Sequence, residues 1–114
     1  MKYVLLGLLA AVGLGLSVAC AEGEDLSAVT PVTGVTEVTV SNMKFTPSVI
    51  EVPAGTTVTW NFQDGDTPHD VKGDGFKSEV MRVGTFTHTF STPGTYDYKC
   101  TLHGQMTGRV IVTG

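Results

Sequence analysis

In the run Cys100-Thr101-Leu102-His103-Gly104-Gln105-Met106, a thiol, an imidazole and a thioether recur at every third residue, directly after the alternating segment Tyr96-Asp97-Tyr98-Lys99-Cys100. No other feature restricts the fold as tightly. Strand periodicity puts Tyr96, Tyr98 and Cys100 on one face and Asp97 and Lys99 on the other. Cys100 therefore ends a strand on its inward side, and the loop expected after it can fold back so that His103 and Met106 converge with the thiol before Gly108. A second imidazole, His69 in Thr67-Pro68-His69-Asp70-Val71, lies far upstream and must arrive from a different loop. Two His and one Cys in a trigonal set, with a weak axial Met, form the ligand set of an electron-transfer copper site. Sulfur favours Cu(I) and imidazole also satisfies Cu(II), so such a site needs little rearrangement when an electron moves.

The rest of the chain supplies a scaffold of short strands. Val35 and Glu37-Val38-Thr39-Val40 alternate in part, and Val49-Ile50-Glu51-Val52 stops at the turn Pro53-Ala54-Gly55. Thr56 to Phe62 places Val58, Trp60 and Phe62 on one face, with Trp60 as the large core anchor, and Phe86, His88 and Phe90 share another face. Pro93-Gly94 turns the chain, and Val110-Ile111-Val112 closes it. Strands at this spacing indicate an antiparallel β-sandwich whose loops cluster at the two ends, so one end should carry both ligand segments. His88 reads as a strand histidine, Met43 and Met81 as packing residues, and Tyr96 as a residue bonding across a loop.

The N-terminus reads as a targeting segment over residues 1–20. Lys2 precedes an apolar stretch from Val4 to Val18, too short for a comfortable membrane span of about 20 apolar residues. Leu16-Ser17-Val18-Ala19-Cys20 is similar to a bacterial lipobox, with Cys20 as the lipidated residue, although Ser17 stands where Leu is commoner. Ordinary cleavage after Ala21 is the alternative. Both routes export the protein, to the periplasm or cell surface, and leave Cys100 as an unpaired thiol that needs a reason to exist. Residues 21–34 lack apolar periodicity and read as a flexible tether reaching at most ~50 Å. The domain is expected over 35–114.

The formal net charge is −4, which disfavours nucleic-acid binding. Asp64, Asp66, Asp70, Asp74 and Glu79 form an acidic stretch that is either a solvated loop or a docking patch for a basic partner.

From Phe45 to Val112 the chain resembles the cupredoxins, specifically the plastocyanin–amicyanin–pseudoazurin group. The likeness rests on Phe45-Thr46-Pro47, on Val52-Pro53-Ala54-Gly55-Thr56-Thr57-Val58-Thr59-Trp60, on Pro68-His69-Asp70-Val71 and on Pro93 to Cys100. The short Cys-to-Met loop is most similar to that of amicyanin. The resemblance implies an all-β Greek-key β-sandwich of about eight strands. It also implies one type 1 copper ion held by His69, Cys100, His103 and Met106, with His103 as the more exposed ligand. The implied function is one-electron transfer between a redox donor and an acceptor protein by a monomer that is not an enzyme. Asp70 stands where the group often has Asn, and its side chain can still accept a bond from Thr101. Leu102 and Gly104 replace prolines in the ligand loop.

Rival classes fit less well. A copper oxidase or nitrite reductase needs further His ligands, and the chain has three His in all. A periplasmic or extracellular copper carrier or buffer is the serious alternative, distinguished by ready release of copper to a chelator. A zinc site would leave the thioether unexplained.

Overall fold

The computed structural model describes residues 25–114. The expected signal segment over 1–20 and the lipidation site Cys20 lie outside the described residues.

Ten strands follow a short 3-10 turn at Leu26–Ala28. They are β1 (Val32–Thr33), β2 (Glu37–Ser41), β3 (Lys44–Thr46), β4 (Val49–Pro53), β5 (Thr56–Gln63), β6 (Lys72–Gly73), β7 (Phe76–Lys77), β8 (Val83–Phe90), β9 (Gly94–Cys100) and β10 (His103–Thr113). Three of them are only two residues long, so the seven longer strands form the frame of the expected β-sandwich. One sheet runs β1-β4-β10-β9-β6-β7 and the other β3-β2-β5-β8.

Alternation decides which side chains meet between the sheets. In β5, Val58, Trp60 and Phe62 are fully buried, while Thr57 and Gln63 face out. From the facing sheet β9 sends in Tyr98 and Cys100, and β10 sends in Met106, Val110 and Val112. Trp60 is the centre of this layer, with ring centroids 5.3 Å from Tyr98, 5.6 Å from Phe86 and 5.7 Å from Phe76. Gly108 pairs with Tyr98 across β9 and β10, and a Cβ there would overlap the Tyr98 ring. The close approach of that ring therefore requires glycine.

The sheets are mixed, not antiparallel throughout as the strand spacing suggested. β2 pairs with β5, and β4 with both β1 and β10, in parallel. The cause is the path of the chain. After the β2–β3 hairpin it crosses to the other sheet as β4 and returns as β5, and an excursion through the opposite layer brings it back in its original direction.

The region expected as a tether over 21–34 is also partly structured. Asp25 caps the 3-10 turn through Ser27 N–H at 3.0 Å, and Val32–Thr33 pair with Ile50–Glu51 as an exposed edge strand. This pairing is backbone bonding to a distant strand, which leaves no trace in local periodicity. Tyr96 bonds as expected: its hydroxyl donates to the Thr92 carbonyl at 2.6 Å.

Candidate metal centre

The segment between β5 and β6 delivers His69. Asp64 N–H donates to the Arg82 carbonyl and Thr67 N–H to the Asp64 carbonyl, which folds the chain after β5. His69 and Met81 then exchange backbone hydrogen bonds of 3.1 and 2.9 Å. Two residues on, the Ser78 hydroxyl accepts from Val71 N–H at 2.8 Å while Ser78 N–H donates to the Val71 carbonyl at 2.8 Å. The His69 backbone is thus held on both sides, and its ring is fully buried. Its Nδ1 lies 3.9 Å from the Cys100 Sγ, and its Nε2 lies 2.9 Å from Asp64 Oδ2.

Cys100 is fully buried and is the free cysteine among the described residues. The loop expected after it is shorter than the sequence suggested. Thr101 and Leu102 alone make the turn, Cys100 faces His103 across it, and His103 already opens β10. His103 and Met106 therefore sit on a strand rather than in a loop. Asp70 explains the tightness, because it accepts the Thr101 N–H at 2.7 Å and the Thr101 hydroxyl at 2.6 Å. Met106 is 3% exposed. His103 is half-buried, with Nε2 donating to the Pro68 carbonyl at 3.2 Å and its ring centroid 5.0 Å from that of His69.

The ligand-type atoms of His69, Cys100 and His103 all lie within 4.8 Å of one another. Metal bonds of about 2.0 Å to nitrogen and 2.3 Å to sulfur, spread at trigonal angles, would place nitrogen and sulfur about 3.7 Å apart. The observed 3.9 Å between His69 Nδ1 and Cys100 Sγ fits one ion between them. With the buried Met106, the chain brings together a His-Cys-His-Met set that could hold copper. His88 does not join it. Its half-buried ring stacks on Phe76 at 4.8 Å and meets the Phe90 edge at 4.7 Å. Met81 packs against the core as expected, but Met43 is 50% exposed in the β2–β3 turn, so packing does not explain it.

Two carboxylates stabilise the site from outside the donor set. For Asp70, burial is the largest influence and pushes its pKa up, but the Thr101 hydroxyl and N–H, with Lys77 Nζ at 4.0 Å, outweigh it and hold the carboxyl below its ordinary range. The hydrogen bond from His69 holds Asp64 below its ordinary range as well. The acidic stretch is therefore not a single patch. Asp64 is bonded to His69 and Asn42, Asp70 is 1% exposed, and only Asp66, Asp74 and Glu79 of the five stand exposed. The expected bond from Thr101 to Asp70 is present, and Asp64 and Ser78 are the site residues that the motifs missed. An Asp five residues before a His carries no pattern that separates a hydrogen-bond partner from loop charge.

Two packed sheets with a buried thiolate-type ligand, two imidazoles and a thioether at one end define a mononuclear copper protein. The Cupredoxin-like domain family matches residues 8–112, and the chain belongs to that family. Cupredoxins are electron carriers that bind one type 1 copper. Among relatives, amicyanin-alpha of Methylorubrum extorquens is 39% identical over 87 residues, covering 69% of this chain and 72% of that protein. The amicyanin of Paracoccus versutus is 38% identical over 82 residues, covering 64% of this chain and 61% of that protein, which is less than two thirds of its length. A reduced-state structure of an amicyanin mutant aligns with a TM-score of 0.63 at 34% identity, covering 69% of this chain and 82% of the other. The chain is a cupredoxin of amicyanin type.

Proposed function

We propose that this protein carries single electrons between a redox donor and an acceptor protein, and that His69, Cys100, His103 and Met106 would hold the copper ion, with the Met106 thioether as the weakest donor. The convergence of the His69, Cys100 and His103 donor atoms within 4.8 Å, around a fully buried free thiol, carries this reading. Bound copper would supply the Cu(I)/Cu(II) couple. The chain's own residues do the rest. The Cys100 thiolate satisfies both oxidation states, and the buried His69 ring excludes water from one side. The half-buried His103 gives the electron its shortest route to the surface. Four protein ligands leave no open position for a substrate, so the protein acts as a carrier and not as an enzyme.

The proposal extends to location. An exported chain lipidated on Cys20 would hold a monomeric domain at the membrane, in the periplasm or on the cell surface. The motif Leu16 to Cys20 supports this. Expression of the full chain with a labelled fatty acid tests it. Label should appear on the parent and vanish in Cys20→Ala, and an unlabelled parent would reject the anchor.

The copper assignment is tested by a visible spectrum of the copper-loaded, oxidised protein. An intense thiolate-to-copper charge-transfer band is expected, and Cys100→Ser should abolish it, because a hydroxyl cannot replace the soft donor. An unchanged band in Cys100→Ser would sink the assignment. Rapid loss of copper to a chelator would instead indicate a carrier of the metal itself.

A further inference from the structure

We infer that the outer face of β7, β6 and β9 is a docking surface for an acidic redox protein, with Lys77, Lys72 and Lys99 as a cationic row that meets the partner's carboxylates. This rests on the electron-carrier reading above and names the chemistry of the partner.

The register of the strands makes the row. Lys72 stands opposite Lys77 on one side and opposite Lys99 on the other. Their chain neighbours Val71, Phe76, Tyr98 and Cys100 are buried, so alternation turns the three lysines outward, and all three are exposed. Directly opposed residues on one face lie about 5 Å apart, and like charges so placed destabilise a sheet. No carboxylate stands in the row to relieve the repulsion, and Thr107 continues it on β10. Lys77 Nζ comes within 4.0 Å of Asp70 Oδ2, but that carboxylate is buried and both its oxygens are bonded to Thr101. Asp97, two residues before Lys99 on the same face, is already paired with Arg109 at 2.6 Å. Lys72 and Lys99 have no ion pair among the described residues. A chain of net charge −4 thus gathers unpaired cations on one face, where only an external anion can relieve them.

Position selects what carries that anion. Lys99 directly precedes Cys100, Lys72 closely follows His69, and Lys77 reaches Asp70, so the row lies at the ligand end of its sheet. A shallow groove of about 650 Å³ runs alongside, bordered by Lys72, Lys99 and Arg109. A protruding acidic segment of a protein can enter such a groove, and a flat lipid surface cannot. Complementary charge raises the encounter rate of that partner and fixes its orientation beside the metal end. The sign of the partner is the reverse of the one the acidic stretch suggested, because burial breaks that stretch and register assembles this row.

The probe is an acidic plant-type ferredoxin with a two-iron cluster. Its reduced cluster gives one electron to Cu(II), which becomes Cu(I), and the cluster returns to its oxidised state. Stopped-flow mixing with the full, copper-loaded, oxidised protein at several salt concentrations reads the rate. For the parent the rate should fall as salt rises. Lys72→Gln combined with Lys99→Gln should slow it by about tenfold at low salt, the lower end of the range for electrostatic steering, and should flatten the salt dependence. Lys77 is kept because it reaches Asp70. The same double variant should raise the denaturation midpoint, since a like-charge pair is removed, and a loss of rate with a gain in stability cannot come from a damaged fold. Lys99→Gln alone should also slow transfer, whereas Lys44→Gln, the same change of net charge on the other sheet, should not. If the loaded parent lacked a blue band, the copper reading would fall. The surface would still be decided by amide NMR of the metal-free chain with oxidised ferredoxin, whose shifts should gather on Lys72, Lys77, Lys99 and Thr107. Shifts gathered instead around Met43 and His103, or equal slowing by Lys44→Gln, would overturn the inference. So would lysine-dependent binding to phosphatidylglycerol vesicles with a ferredoxin rate indifferent to the lysines, which would make the row a lipid headgroup site.

Discussion

Asp70 and Thr101 are joined by two hydrogen bonds, the Thr101 N–H at 2.7 Å and its hydroxyl at 2.6 Å, both to a carboxylate that is 1% exposed. Asp70 follows His69 and Thr101 follows Cys100, so this one contact locks the two ligand segments in register. It also lets the chain reverse in two residues and bring His103 opposite Cys100. A buried charge is expensive unless it is paired and bonded. Here both carboxylate oxygens are used, and Lys77 stands at 4.0 Å.

Asp70→Asn should keep the tie, because the amide oxygen can accept from Thr101 N–H while its nitrogen donates to the hydroxyl. Copper and colour should remain, and voltammetry should show a higher potential, since removal of a nearby negative charge favours Cu(I). Asp70→Ala should lower stability by roughly 1.5–3 kcal/mol, the usual worth of hydrogen bonds to a charged group. A denaturation midpoint equal to that of the parent would mean that the link is ornamental.

Met106→Leu should retain copper and colour but raise the potential, because a weak donor to Cu(II) is lost at nearly constant volume. His88→Gln is the control, since its ring lies among Phe76 and Phe90, away from the donor set. A lower potential in Met106→Leu, or copper loss, would count against Met106 as a weak donor to the copper.

Gly108→Ala should destabilise the fold by about 1–3 kcal/mol, the cost of overpacking. The added Cβ would overlap the Tyr98 ring, which cannot move away because it is wedged against Phe45 at 4.7 Å and Trp60 at 5.3 Å. Adding Tyr98→Leu should relieve part of that cost, so the two effects should not sum. Additive losses in chemical denaturation would show that the overlap is relaxed elsewhere.

The sandwich was legible because its signals are local. The alternation of Val58, Trp60 and Phe62 and of Tyr98 and Cys100 encodes inward faces directly, and the spacing from Cys100 to Met106 encodes chemistry. What was hidden depends on partners far along the chain. The parallel pairing of β2 with β5 follows from a crossover between layers, and Val32–Thr33 find their place only on Ile50–Glu51. The two-residue ligand turn depends on Asp70, 31 residues before Thr101. Asp64 and Asp70 looked like members of one acidic run because charge is visible in a sequence and burial is not.

Tyr98 allows a test of the core at high pH. Its hydroxyl and the Trp60 Nε1 are both buried and complete no hydrogen bond among the described residues. Burial pushes the Tyr98 phenol well above its ordinary range and outweighs the opposing influence of the nearby Trp60 indole. In the unfolded chain a tyrosine ionises near pH 10. Below that pH both states keep the proton, and the phenol adds no pH dependence. Above it the unfolded chain releases a proton that the folded protein retains. Stability then falls as pH rises, by up to about 1.4 kcal/mol per pH unit from this group. Tyr98→Phe deletes the titrating group and keeps the ring that packs on Phe45, Trp60 and Phe76. Denaturant unfolding at several pH values from 8 to 11 should give a shallower alkaline decline for Tyr98→Phe than for the parent, with the lysines common to both. Equal slopes would mean that the phenol reaches water in the folded protein and that the layer between the sheets is less closed than the packing indicates.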